Sequence, residues 1–104
     1  MGRKKSIEEL TNILAVALRH KIGAIVNFME IYAEKYAKDS EVLLNETKKI
    51  LEKEHFDFYD RKEIKEQLRK KLQAELASKE FLDKKKFEIM DEETEKVLRE
   101  FDLL

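Results

Sequence analysis

A chain of 104 residues with no cysteine, no proline, two glycines and 43 % charged side chains has the length of one domain and the composition of long, ion-paired helices. Its 22 basic and 23 acidic residues leave a formal charge of −1, so no global field favours nucleic acid or an anionic membrane as partner. Absent cysteine excludes disulfides, thiolate metal sites and cysteine nucleophiles; no apolar run nears the ~20 residues that span a bilayer, and a cytoplasmic protein is expected.

The opening "MGRKKS" fits the N-myristoylation pattern, with Gly2 as acceptor and Ser6 at the right offset, although a short basic tail is the plainer reading. Ser6 and Glu9 in "SIEE" form a capping box, so a first helix is expected over 6–38. Its apolar residues make two stripes, one with Leu14, Leu18, Lys21, Ile25, Phe28 and Tyr32, the other with Ile22, Val26, Met29, Ala33 and Tyr36. Two stripes need cover on two sides, which makes this helix the central element. Gly23 within it costs about 1 kcal/mol relative to alanine, and close approach of another helix accounts for it. Asp39 and Ser40, both good caps, mark the turn.

A second helix is expected over 41–59, with Leu44, Lys48, Leu51, His55 and Phe58 inward. Asp60 with Glu63 then starts a third over 61–77, where Ile64, Leu68, Leu72 and Leu76 form a narrow stripe. "LASKEFLDKKKFEIM" is ambiguous, and Phe87 and Ile89 also fit extended backbone. Asp91 caps a last helix over 92–102, with Val97, Leu98, Phe101 and Leu104 inward. The expected fold is one all-α domain over 1–104. An antiparallel helical hairpin at 7–58 forms a four-helix-bundle-like core, with further helices at 60–104. Oligomerisation, to a dimer or larger, is expected to complete it, because a chain this short buries only about two-thirds of its unfolded surface.

The sharpest local signal is "EKEH" at 52–55, a Glu-x-x-His spacing by which one helical turn offers a carboxylate and an imidazole to a metal ion. Together with "EELTNIL", "AIVNF" and the acidic turn "KDSEV", it gives residues 7–58 a resemblance to the ferritin-like superfamily, in particular rubrerythrin-type and encapsulated-ferritin half-bundles. That resemblance implies a di-iron site between two hairpins, each supplying a first-helix Glu and the Glu-x-x-His pair. The pattern departs at the first-helix Glu, where Lys21 stands. An ammonium repels a cation, and on an apolar seam Lys21 needs an anion, for which Glu52 is the obvious choice. Two outcomes stay open. A Lys21–Glu52 pair keeps the helix pairing without a cofactor. Alternatively Glu30, Glu52 and His55, doubled by a two-fold axis, hold iron or manganese in a weak or altered divalent-metal site.

Two rivals come from other classes. "LRHKIGAIVNFMEIYAE" is similar to the phospho-accepting helix of sensor histidine kinases, which implies a phosphotransfer protein using His20 as nucleophile. Lys21 replaces the usual acidic neighbour there, and Ala24 the usual polar residue. The other rival is a metal-free helical dimerisation or protein-interaction module, favoured by the doubly apolar first helix and the absence of any complete catalytic set. Enzymatic activity is left open by the residues; nucleic acid and membrane are not expected as partners.

Overall fold

The computed structural model describes residues 2–27, 31–80, 82 and 84–104. Four helices and no strands occur among them: α1 (Gly2–Val26), α2 (Ala33–Lys53), α3 (Phe58–Ala77) and α4 (Lys85–Glu100). The all-α expectation holds. Of its boundaries, the end of the third helix at Ala77 holds and the others shift.

α1 starts at Gly2, so residues 2–5 are helical rather than a tail, and Ser6 lies inside the helix. The Ser6 hydroxyl donates across to Glu54 Oε1 at 3.0 Å instead of capping. The chain leaves the helix after Val26, not at Asp39–Ser40, and Ser40 is buried within α2. The observed break gives two arms of similar length, 25 and 21 residues, which pair antiparallel along their whole extent. His20 lies beside Tyr36 and Asp39, Gly23 beside Tyr36, and Ser6 beside Glu54, which fixes one constant register. A Cβ at Gly23 would stand 3.3 Å from both Tyr36 Cδ2 and Leu82 Cδ2, so the glycine serves the close approach expected of it.

After Lys53 the chain runs extended through Glu54 to Asp57. Asp57 then caps α3: its side chain accepts from the Asp60 backbone amide at 2.8 Å, and Asp60 Oδ2 accepts from the Asp57 amide at 3.0 Å. This capping box sits three residues before the expected one. α3 runs parallel to α1, as Thr11 Oγ1 to Gln67 Oε1 (3.3 Å) and Arg19 Nε to Glu75 Oε1 (2.8 Å) show. α4 returns antiparallel and is longer than expected, taking Phe87 and Ile89 into the helix.

α1 touches all three other helices, α3 and α4 touch each other, and α2 packs on α1 alone. The core therefore lies among α1, α3 and α4. Leu10, Leu14, Leu18 and Ile22 face Ile64, Leu68, Leu72 and Leu76, with Val97, Leu98 and Leu103 closing the end. Of the stripe residues on α1, Leu14, Leu18 and Ile22 are covered within the chain, whereas Ile25 stays 43 % exposed; Phe28 and Met29 lie outside the described residues. α4 ends in a Schellman motif: Asp102, at φ 59°, donates to Arg99 O at 3.1 Å, and Leu103 donates to Leu98 O at 2.7 Å. That reversal buries Leu103 and leaves Leu104 half exposed against expectation, while Phe101 packs partly buried against the core as expected.

Candidate functional site

The Glu-x-x-His motif is split by the helix end. α2 stops at Lys53, so Glu52 is on its last turn while His55 lies in the extended segment beyond it. Phe56, not His55, turns into the core, because the capping box at Asp57 sets the path of the chain there. Glu52 and His55 are both exposed in the chain, against the expectation that they face inward. Glu30 lies outside the described residues. No group of three or more His, Asp or Glu side chains able to hold a metal occurs among the described residues.

Lys21 finds an anion, but a different one. The hairpin register puts Lys21 level with the first half of α2, about 20 Å along the axis from Glu52. The Lys21–Glu52 pair does not form. Instead Lys21 Nζ lies 3.0 Å from Glu93 Oε1, and Lys96 Nζ lies 3.1 Å from Glu93 Oε2. Glu93 is buried, at 4 % exposure. Burial alone would raise its carboxyl pKa, but the two ammonium groups outweigh that and hold it below the usual carboxylate range. The arrangement is an electrostatic rivet between α1 and α4.

His20 sits in the α1–α2 interface. Its Nδ1 is 2.9 Å from Val16 O, the ring meets Tyr36 edge-on at 5.9 Å, and Nε2 is 3.8 Å from Asp39 Oδ2. The Val16 carbonyl accepts from Nδ1–H, which leaves Nε2 as the free lone pair. A phosphoryl group arriving at Nε2 would face the Asp39 carboxylate, so this placement suits packing better than phosphoryl transfer. Between α1 and α3, Lys71 Nζ donates to Thr11 Oγ1 at 2.6 Å and to Glu8 O at 3.2 Å. Burial lowers the Lys71 pKa, with the Glu8 carboxylate pulling the other way.

A concave site that the sequence did not suggest lies between the start of α3 and the turn after α4. It is lined by Phe58, Arg61, Lys62, Lys65, Leu103 and Leu104 and holds about 220 Å³. Phe58 is 67 % exposed on its wall. The only sequence signal was the cation run in "DRKEIK", which reads equally well as a solvated face.

Comparison with known protein families, curated proteins and solved structures gives no match. The ferritin-like resemblance therefore stands on its quoted residues alone. No described helix is long and apolar enough to cross a membrane.

Proposed function

We propose that the chain is a helical protein-interaction module. The observation that carries this reading is where its large apolar side chains reach the surface. Ile25, Ile31 and Tyr32 are exposed around the α1–α2 connection, with Ile31 at 84 %. Phe58, Tyr59 and Leu104 are exposed at the opposite end of a body 42 Å long. The flank between them is charged; on α2, Val42 is the single large apolar residue exposed among the described residues. Isolated surface hydrophobes need no explanation, but aromatic and aliphatic side chains gathered at two ends suit protein contacts.

Buried ion pairs and helix caps account for Lys21, Glu93 and Asp57 without a reaction, which also favours binding over catalysis. Selection of a phage-displayed dodecapeptide library against the full chain, with sedimentation velocity of the chain alone, tests the reading. Peptides whose binding is lost on Ile31→Glu or Phe58→Glu, or self-association lost on the same changes, support it. A monodisperse monomer that enriches no peptide refutes it.

A further inference from the structure

We infer that the pocket formed by the first turns of α3 and the turn after α4 takes an acidic segment of a partner protein, seated by one apolar side chain. This rests on the interaction-module reading and assigns that module a site and a ligand class.

Two features of the pocket define the ligand. Its apolar walls are Phe58 and Leu104, both exposed, over the buried Leu103. A volume of about 220 Å³ is below the roughly 300–1,000 Å³ of small-molecule sites, and is the scale of a single anchoring side chain. The Schellman turn holds Leu103 in place by its 2.7 Å bond to Leu98 O, so the floor exists before a ligand arrives.

The rim is cationic and unspent. Arg61, Lys62 and Lys65 line the pocket, and none of their side chains makes a hydrogen bond or ion pair with a described residue. Arg61 Nε is buried with no acceptor, an unsatisfied charged donor at the edge of the cavity. Glu95 shares an adjoining hollow with Lys65, but other acids of this end are engaged elsewhere. Asp57 and Asp60 hold each other's backbone amides, Glu54 accepts from Ser6, and Glu63 accepts from Gln67 at 2.8 Å. On a chain of net charge −1, three such cations around an apolar hollow complement carboxylates flanking a leucine or an aromatic residue.

The experiment selects the dodecapeptide library in parallel on the wild-type full chain and on the doubly substituted Lys62→Glu/Lys65→Glu chain, then measures the strongest wild-type peptide by fluorescence anisotropy. Lys62 is exposed and Lys65 half-buried, and far-UV circular dichroism checks that the variant keeps its helices. Peptides rich in Asp and Glu around Leu, Phe or Tyr are expected on the wild type. Their affinity should drop at least tenfold on the double variant, and fall again on Phe58→Ser and on raising the salt. Enrichment without acidic bias, or equal binding to both chains, overturns the site. Peptides that depend on Ile31 and ignore Lys62 and Lys65 overturn the site but leave the module reading standing. No enriched peptide, with a monodisperse chain, removes both.

Discussion

Removing one member of the Lys21–Glu93–Lys96 cluster should expose an asymmetry between its two sides. Lys21 is 36 % exposed at its side chain and Lys96 56 %, whereas the Glu93 side chain is 6 % exposed. Glu93→Gln keeps the volume and frees two ammonium groups that reach water, so the loss is a charged hydrogen bond, about 1.5–3 kcal/mol, taken near the lower end. Lys21→Met leaves the buried carboxylate with one partner. Breaking a fully buried pair from one side costs about 3–5 kcal/mol, and the remaining Lys96 moderates that. The expected order is Lys21→Met more damaging than Glu93→Gln, with the double variant milder than Lys21→Met alone. Urea unfolding followed by far-UV circular dichroism gives both values, and each kcal/mol corresponds to about 4–8 °C in melting temperature for a domain near this size. The pH dependence follows from the sign of the shift. Because the folded Glu93 carboxyl titrates below its usual value of 4.5, its contribution is present above pH 4.5 and is lost as pH falls through the lower folded pKa. Wild type should therefore lose stability there more steeply than Glu93→Gln. Equal costs for the two single variants, or strict additivity in the double, would refute the reasoning.

Three further outcomes are expected. Asp102 occupies a left-handed position that glycine adopts without penalty, so Asp102→Gly should stabilise the chain by about 0.5–1 kcal/mol in the same unfolding assay. Thermal melts of wild type and His55→Ala with added Fe²⁺ or Mn²⁺ should superimpose on those without metal; a rise confined to wild type would restore the ferritin-like reading. Incubation with a phosphorylated receiver should leave no acid-labile phosphate that depends on His20, since its Nε2 faces Asp39; label lost on His20→Gln would contradict this.

The parts of the fold legible in the sequence were those set by periodicity. Ile64, Leu68, Leu72 and Leu76 recur every four residues and are all buried, and Val97 and Leu98 point inward as expected. The boundaries misled because local caps are weak. Ser6, Asp39, Ser40 and Asp91 are all good caps in isolation, yet each lies inside a helix. A cap contributes about 1 kcal/mol, whereas burying one leucine contributes about 1.5–3, so packing of matched helical arms decided where the chain turned. That same shift explains the candidate metal site. With the turn expected at Asp39–Ser40, Glu52 falls level with the middle of α1; with the break after Val26, it falls near the start of α1. The need of Lys21 for an anion was legible from its place on an apolar seam. Its partner, Glu93, was not, because nothing local connects α1 with a carboxylate on α4. The cationic pocket was hidden for a similar reason, since Phe58 and Leu103 meet only after α4 has folded back.

The most direct test of the interaction-module account is a map of backbone amide shifts in the ¹⁵N-labelled full chain as a selected peptide is titrated in. The account predicts saturable shifts clustered at an end of the molecule, at residues 58–65 with 102–104 or around Ile25, Ile31 and Tyr32, with the charged outer face of α2 unmoved. Shifts centred on that face of α2, or on Glu52 and His55, would contradict it.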